Sequence, residues 1–523
     1  MNRPSFKPSR QQNTIFDFIR AGEGDALIRA TAGAGKTTTL KEVSKLIPKH
    51  LRVCFLAYNK AICEELERKL PSTNILTVHS LGRRALSRYL KSQRLKVKTK
   101  KDKQILLVNE LVEEVLKEHP SANKYETKNF AKELLRLSRL NCADLADLKQ
   151  LRHISLKYNL RPADDPRVDQ TIFIKLQKLH SEIIKQFEKS GIIDFDDMVC
   201  LPAELRLPVE QFDFICVDEA QDFSKASLSL VLKARAPNGR MLFVGDARQA
   251  INGFAGAAPD SLDVIVDKTK AIEFPLSVTF RCPKLHVQLA KKIAPEIESQ
   301  KNAKVGTVRV IKRKTLHKWV RQNNLIICRH KLPLVKTCVE LNRRGKPASI
   351  LGIDIGDRLI QIAKHIFRNS LANWQNRLEK YIEDENLRLN KIQNEAQRNA
   401  LLIKLNDNTN CVRALIEDVE NQSKSVSMRL FEQHIKLTFV EDPNNQIVLS
   451  TIHKAKGREA DRVFILFPHL MSAEYAATTE AVRGEACVQF VALTRSKRDL
   501  FFVERNGSVV QNLLDDMLTG NKG

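Results

Sequence analysis

The fold of this chain is decided by one stretch, Ala30-Thr31-Ala32-Gly33-Ala34-Gly35-Lys36-Thr37. It follows a short apolar segment, residues 26–30, and precedes a helical pattern that begins near Thr38. A glycine-rich turn between a strand and a helix directs several backbone N–H groups toward one point, where they cradle a phosphate chain. In such a loop Lys36 neutralises the outer phosphates and the Thr37 hydroxyl ligates Mg²⁺. The stretch therefore predicts a nucleoside triphosphate site in which residues 30–38 form the phosphate cradle.

An acid pair, Asp218-Glu219, follows a second apolar segment, residues 212–217. If both segments are parallel strands, their carboxyl ends meet at one edge of a sheet, and the acids lie beside the phosphate loop. Asp218 then holds the magnesium ion, and Glu219 polarises the water that attacks the γ-phosphate. Acids after a strand also cap helices, but the phosphate loop upstream favours the catalytic interpretation.

Short apolar segments alternate with helical patterns along the chain, which predicts an α/β fold with parallel sheets. One set comprises residues 26–30, 53–57, 212–217 and 241–244, and a second comprises residues 325–328, 348–351, 447–450, 463–466 and 499–503. Two similar α/β units are therefore expected. Between these segments, residues 83–190 and 357–440 have helical spacing and many charges, and the first of them includes the basic run 96–103. Each is interpreted either as a scaffold with solvated charged faces or as a nucleic-acid contact.

Charge and composition define the class of partner. The 523 residues include 87 Lys and Arg against 61 Asp and Glu, a net charge of +26. Clustered cations gain free energy by displacing counterions from phosphates, so a polyanion is expected, although basicity also aids solubility. No apolar run reaches the ~18 residues of a membrane span, and no secretory leader is recognisable. The ten cysteines form no CxxC pair, which predicts reduced thiols, no metal cluster and a cytoplasmic location.

At the phosphate loop and the acid pair the sequence resembles the UvrD/Rep branch of the superfamily 1 helicases, including F-box DNA helicase and phage relatives. The resemblance covers almost the whole chain, in order. It implies that Gln12 recognises adenine, because a side-chain amide can both donate to and accept from the edge of that base. Gln12 is equally well interpreted as a polar residue near a helix start.

The segment Gly245-Asp246-Ala247-Arg248-Gln249, continuing to Ala257, is similar to the family motif that couples nucleotide to DNA. The resemblance implies that Gln249 senses the γ-phosphate, and that Asn252 and Phe254 contact DNA. Relatives often carry an aromatic residue at the position of Asn252 and tryptophan at that of Phe254. We therefore expect altered base stacking, an interaction usually worth ~1–3 kcal/mol per base.

Three further motifs fall in the second half of the chain. In Phe280-Arg281-Cys282-Pro283 the resemblance implies that Phe280 stacks on adenine and that Arg281 reaches the γ-phosphate. The stretch Ser450-Thr451-Ile452-His453 continues to Glu459. Here the resemblance implies a ribose contact for Glu459 and DNA-backbone contacts for Thr451 and His453. The resemblance implies that Arg495, in Ala492-Leu493-Thr494-Arg495, is an arginine finger like Arg281. The fixed planar charge of an arginine stabilises the charge on the transferring phosphoryl group.

Weaker matches complete the set. The stretch Tyr58-Asn59-Lys60 and His79, in Thr77-Val78-His79-Ser80, resemble the DNA-backbone motifs of the first motor domain. The run Asp194-Phe195-Asp196-Asp197 resembles a family signature that is interpreted as structural as readily as functional.

The resemblance implies two RecA-like motor domains, each with a mainly helical insertion. The expected first motor domain comprises residues 1–82 and 191–273 with the insertion 83–190, and the second comprises 274–356 and 441–523 with the insertion 357–440. The implied activity is ATP hydrolysis, with Mg²⁺, that moves the chain 3′ to 5′ along single-stranded DNA and opens duplex junctions during repair, recombination or replication. The alternatives are an ATP-gated clamp on single strands, a translocase that displaces proteins without processive unwinding, and a helicase–nuclease fusion, for which the sequence after Arg495 leaves little room.

Overall fold

The computed structural model describes residues 6–57, 60–69, 74–158, 160, 166–251, 256, 260–368, 370–392, 395–423, 426–471 and 479–504. The chain divides into two compact units, residues 1–277 and 278–523.

The first unit is built on a six-stranded, fully parallel sheet with the strand order β3-β2-β6-β7-β1-β8, and strands β4 and β5 form a separate parallel pair. Its strands are β1 (Ala26–Ala30), β2 (Val53–Ala57), β3 (Asn74–Thr77), β4 (Lys98–Thr99), β5 (Ile192–Ile193), β6 (Phe212–Val217), β7 (Arg235–Gly245) and β8 (Ile272–Leu276). Its helices are α1 (Arg10–Ala21), α2 (Lys36–Leu46), α3 (Lys60–Lys69), α4 (Val78–Ser92), α5 (Lys103–Glu118), α6 (Lys124–Leu140), α7 (Leu148–Lys157), α8 (Pro166–Ser190), α9 (Phe195–Glu204), α10 (Lys225–Lys233) and α11 (Ser261–Thr269).

Alternate residues of the central strands enter two different apolar cores. Leu27, Leu56 and Ile215 belong to one core, and their neighbours Ile28 and Phe55 belong to the other. Both faces of the sheet are therefore covered, which explains why these strands read as continuous apolar segments. The predicted α/β class with parallel sheets is confirmed.

Two boundaries differ from the sequence prediction. The strand expected at residues 241–244 is the last part of β7, which begins at Arg235. A shift in register lets Arg235 pair with Phe212, the first residue of β6. The helix expected near Thr38 begins at Lys36, because Gly35 adopts a left-handed conformation and turns the chain directly into the helix.

Helices α5, α6 and α8, with the end of α4, enclose an apolar core of their own. Lys103, the last residue of the basic run 96–103, is only 2% exposed. It fits neither interpretation of that run, because its ammonium group is buried in an ion pair that is described below.

The second unit contains a seven-stranded parallel sheet with the order β11-β17-β16-β12-β15-β13-β14, and a separate pair of strands, β9 and β10. Its strands are β9 (Val278–Thr279), β10 (Glu298–Ser299), β11 (Thr307–Lys312), β12 (Leu325–Cys328), β13 (Ala348–Leu351), β14 (Phe439–Val440), β15 (Ile447–Thr451), β16 (Ala460–Leu466) and β17 (Ser496–Glu504). Its helices are α12 (Lys284–Ala290), α13 (Leu316–Trp319), α14 (Lys331–Arg343), α15 (Ile353–Phe367), α16 (Trp374–Leu389), α17 (Glu395–Gln422), α18 (Met428–Thr438) and α19 (Thr479–Leu493).

All five strands predicted for the second unit are present, and β15, β16 and β17 are longer than expected. Helices α15 to α18 follow one another between β13 and β14. Their apolar residues, among them Phe367, Leu378 and Phe431, belong to the same core as Ile350 and Leu449 of the sheet.

Three further observations concern the described residues. None of their helices is both long and apolar enough to cross a membrane. They include no group of three or more His, Cys, Asp or Glu side chains that could hold a metal ion. All ten cysteines are free thiols, and only Cys142 is exposed.

Candidate nucleotide-binding site

The glycine loop connects the end of β1 to the start of α2, as the sequence predicts. Gly33 and Gly35 have φ angles of 72° and 81°, in the left-handed region that favours glycine. The Thr31 N–H donates to the Leu276 carbonyl at 3.0 Å, and the Ala34 N–H donates to the Thr31 carbonyl at 3.2 Å. The loop is thus fixed to the neighbouring strand β8 at the N-terminus of an 11-residue helix, the position at which helices bind anions.

Lys36 and Glu219 form the central ion pair of this site. The Lys36 ammonium donates to the Glu219 carboxylate at 2.6 Å, and both side chains are largely buried. Burial opposes the charged form of Lys36, but the carboxylates of Glu219, Asp218 and Asp246 outweigh it and raise the pKa of Lys36. The structure therefore places the acid pair beside the lysine of the glycine loop.

Glu219 occupies a strained position directly after β6. Its φ angle is 52°, which is uncommon for a residue with a side chain. The Asp218 carboxylate accepts from the Glu219 N–H at 2.9 Å, and the Asp218 N–H donates to the Leu56 carbonyl. Strained backbone of this kind concentrates at functional sites.

A third acid, Asp246, was quoted in the sequence motif without a role. It is buried at the end of β7, where its carboxylate accepts from the Gln249 side chain at 2.5 Å. Its N–H donates to the Gln221 side-chain oxygen at 2.9 Å, and the Gln221 amide in turn donates to Glu219. Burial raises the pKa of Asp246, although Lys36 opposes the shift. A hydrogen-bonded path thus connects Glu219 to Gln249.

Gly245 makes this path possible. A Cβ atom at residue 245 would lie 2.8 Å from the Gln221 side-chain oxygen and 2.9 Å from a methyl group of Leu262. The sequence signal that could have identified the path is the acid at 246, directly after an apolar strand, since it repeats the pattern of Asp218.

Gln12 lies at the start of α1 and is almost fully buried. Its side-chain oxygen accepts from the Ser9 N–H at 2.9 Å, and its amide donates to the Thr39 hydroxyl of α2 at 3.0 Å. These bonds form a capping box and a link to the helix after the phosphate loop. The neighbouring Gln11, which the sequence analysis left without a role, exchanges two hydrogen bonds with Ser277, at 2.9 and 3.0 Å.

In the second unit, Arg281, Glu459 and Lys497 form one charged cluster. Arg281 is ion-paired with Glu459, whose other carboxylate oxygen lies 2.5 Å from the Lys497 ammonium. Burial opposes ionisation of Glu459, but these two cations outweigh it and lower its pKa. The structure thus brings together two residues that were predicted to contact one nucleotide.

Arg495, at the end of α19, is only 1% exposed. Its guanidinium donates to the Val491 carbonyl at 2.9 Å and to the Thr494 hydroxyl at 3.0 Å. Phe280, in contrast, has half of its surface exposed, so its ring is accessible for the stacking that was predicted for it.

The predicted DNA contacts of the second unit lie at the carboxyl end of β15 and just after it. The Thr451 hydroxyl accepts from the Lys454 N–H at 3.3 Å and so helps to fix the turn. Burial, with a smaller contribution from Arg329, lowers the pKa of His453 to about 3, so its imidazole is neutral near pH 7.

His79 lies in the first turn of α4, where its ring contacts Phe195 edge-to-face with 6.3 Å between centroids. Burial lowers the pKa of His79. Tyr58, Asn59, Asn252 and Phe254 lie outside the described residues, and only the backbone of Lys60, the first residue of α3, is described.

The acidic run 194–197 has a structural role. Asp197 is fully buried and accepts from Lys103 at 2.7 Å and from Arg139 at 2.8 Å. Arg139 also donates to both carboxylate oxygens of Glu204. The run thereby fixes α9 to α5 and α6.

A parallel sheet that carries a glycine loop, a lysine and an acid pair at the carboxyl ends of its strands defines a P-loop nucleotide-binding protein. Residues 11–270 match the UvrD/REP helicase N-terminal domain family. Over these residues the chain belongs to the UvrD-like superfamily 1 helicases.

Three curated relatives illustrate this similarity. The chain is 25% identical to F-box DNA helicase protein 1 of Schizosaccharomyces pombe, over 95% of this chain and 58% of the relative. It is 23% identical to a probable DNA helicase II homolog of Mycoplasma genitalium, over 92% of this chain and 83% of the relative. It is 25% identical to ATP-dependent DNA helicase Rep of Buchnera aphidicola, over 46% of this chain and 37% of the relative. The aligned part is thus less than two thirds of the first and third of these proteins.

Proposed function

We propose that this chain is a DNA-dependent ATPase that moves along single-stranded DNA and unwinds duplex. The observation that carries the proposal is the Lys36–Glu219 ion pair beside Asp218 and Asp246, at the sheet edge that holds the glycine loop. Relatives described as ATP-dependent DNA helicases support DNA as the substrate.

In this proposal the loop residues 30–38 bind the phosphates of ATP, with Lys36 on the outer phosphates. The three carboxylates around the Lys36 ammonium leave an excess of negative charge at the site. Carboxylate oxygens are ligands that Mg²⁺ prefers. Asp218 and Thr37 would therefore hold Mg²⁺, which neutralises phosphate charge when bound. Glu219 orients and deprotonates the attacking water once a phosphate takes its place beside Lys36.

Residues of the second unit complete the reaction in this proposal. Arg281 and Arg495 stabilise the charge on the transferring phosphoryl group, Glu459 binds the ribose, and Phe280 stacks on the base. Gln249 senses the γ-phosphate, and its bond to Asp246 passes the signal to the DNA motif that follows. We further propose that each unit is a RecA-like motor domain with a helical insertion, residues 83–190 and 357–440.

DNA contacts are proposed for Thr451, His453 and His79, and for the motif residues Tyr58, Asn59, Lys60, Asn252 and Phe254. A 3′ to 5′ direction is proposed from the resemblance to the family. Alternation in how tightly the two motor domains hold the strand would then move the chain forward with each cycle.

Strand displacement on duplexes with either a 3′ or a 5′ single-stranded tail tests the proposal. The wild type should unwind the 3′-tailed duplex, while Lys36→Ala and Glu219→Gln should not. Unwinding by these variants at the wild-type rate would exclude the motor. Intact DNA-stimulated ATPase without unwinding by the wild type would favour a single-strand clamp instead.

A further inference from the structure

A cleft of about 930 Å³ opens at the end of the first sheet where β2 and β6 begin. We call it the basal cleft, and it lies at the opposite edge of the parallel sheet from the phosphate loop. Its charged lining residues are Arg52, Arg88, Arg206, Lys233 and Glu210. Four cations against one acid make it strongly positive.

Two of these five charges are neutralised within the protein. Arg52 pairs with Asp213 at 2.7 Å, and Glu210 pairs with Arg84 at 3.3 Å. Arg88, Arg206 and Lys233 have no carboxylate partner among the described residues. Burial and the nearby Arg206 charge lower the pKa of Lys233, which indicates that these like charges are crowded.

Arg206 also has an unusual backbone. Its φ angle is 52°, directly after α9, where a helix commonly ends in a left-handed glycine. Its N–H donates to the Ala203 carbonyl at 3.2 Å, and the following N–H of Leu207 donates to the Pro202 carbonyl at 3.0 Å. These bonds end the helix and hold Arg206 in the lining of the cleft, close to Lys233.

We propose that the basal cleft binds the phosphodiester backbone of a nucleic acid strand. A polynucleotide carries one charge about every 3.4 Å of strand, so a single segment can meet all three unpaired cations. The aromatic residue of the lining, Phe212, is 4% exposed, so its ring is not available to stack on a base. The contact therefore depends on phosphate charge and not on the bases.

The basal cleft is separate from the nucleotide site. Strand β6 runs between them, with Phe212 at the cleft and Asp218 just beyond its other end. Six residues of strand at about 3.3 Å each span ~20 Å. Binding at the cleft can therefore be measured without ATP, and its failure is distinguishable from failure of the proposed motor.

The test is the salt dependence of DNA affinity in Arg88→Gln, Arg206→Gln and the double variant. Each lost phosphate contact should reduce the slope of log affinity against log salt by about 0.7 on single strands or about 0.9 on duplex. Comparing an oligonucleotide with a hairpin duplex identifies which form occupies the cleft. Arg152→Gln, on the exposed face of α7, is the matched control and should keep the wild-type slope.

Thermal unfolding separates binding from stability, since Arg206 and Lys233 also lie at helix C-termini, where cations stabilise helices. Arg88→Lys should restore the slope, because a phosphate is bound through charge. If the Arg88→Gln and Arg206→Gln variants kept the wild-type slope on both the oligonucleotide and the hairpin duplex, the proposal would be overturned. Variants that bind DNA normally and lose affinity only for oligoglutamate would also overturn it, and would assign the cleft to an acidic protein segment.

Discussion

The Lys36 ammonium and the Glu219 carboxylate lie 2.6 Å apart, although 183 residues separate them in sequence. The lysine that is proposed to bind phosphate thus pairs with the proposed catalytic base. A triphosphate that binds Lys36 would release the Glu219 carboxylate, so that the base becomes available only when substrate is present.

Replacement of the base, Glu219→Gln, should preserve ATP affinity or increase it, because the competing carboxylate charge is lost. The hydrolysis rate should fall by about 10²- to 10⁴-fold, the usual contribution of a general base. Steady-state ATPase assays with saturating single-stranded DNA measure the rate, and equilibrium titration with a fluorescent ATP analogue measures the affinity. Glu42→Gln, on α2, is the control, and equal rates in the two variants would contradict the role of Glu219.

The variant Asp246→Asn should weaken communication between nucleotide and DNA. Asp246 accepts from Gln249, and a hydrogen bond to a charged group is worth ~1.5–3 kcal/mol. At about 1.4 kcal/mol per tenfold, stimulation of ATPase by DNA should fall by about ten- to a hundredfold, while hydrolysis without DNA changes less. An equal loss in both would instead assign Asp246 to the chemical step.

Removal of the proposed arginine finger, Arg281→Ala, should lower kcat for ATP by about 10³- to 10⁵-fold. The same change removes one of the two cations paired with Glu459, so a ribose contact by that carboxylate would be altered and KM should change as well. Arg498→Ala, an exposed arginine of β17, is the control. Undiminished DNA-stimulated ATPase in Arg281→Ala would refute the two-unit nucleotide scheme.

Removal of the Asp197 charge from the buried cluster with Lys103 and Arg139 should destabilise the first unit. In Asp197→Asn the buried cations Lys103 and Arg139 lose a shared carboxylate, and breaking a buried pair costs about 3–5 kcal/mol. Urea unfolding followed by circular dichroism should show an earlier first transition. Asp102→Asn, an exposed neighbour of Lys103, should leave that transition unchanged, and a similar midpoint for both variants would contradict the prediction.

The pH dependence of stability provides a test of His453. Its folded pKa is about 3, below the ordinary value near 6.5, so between these pH values the unfolded chain binds a proton that the folded chain does not. The contribution of His453 to stability is therefore complete above about pH 6.5 and is lost as pH falls toward 3.

The free energy of unfolding of the wild type relative to His453→Gln should consequently rise with pH up to about 6.5 and stay constant above pH 7. Over pH 7–8 the neutral imidazole should add no pH dependence to DNA affinity. A difference that stays constant throughout pH 4–8 would show that the imidazole titrates normally.

The sequence by itself determined the four central strands of the first sheet and the phosphate loop, because these depend on neighbouring residues. Apolar strands such as β1 and β6 are contiguous in sequence, and the predicted site residues follow the ends of those strands: Gly33, Gly35, Lys36, Asp218 and Glu219. Parallel pairing then forces strand ends to one edge, so their proximity follows from local patterns. Both edge strands, β3 and β8, were missed, and in β8 Glu273 and Pro275 interrupt the apolar pattern.

Only the tertiary structure decided which side chains act on one another across long stretches of chain. The path from Glu219 through Gln221 and Asp246 to Gln249 depends on the packing of β6 against β7. The burial of Lys103 against Asp197, 94 residues away, and the crowding of Arg206 and Lys233 in the basal cleft arise in the same way. Hydrogen bonds and charges act over a few ångströms of space, and sequence patterns carry no information about such distances between remote residues.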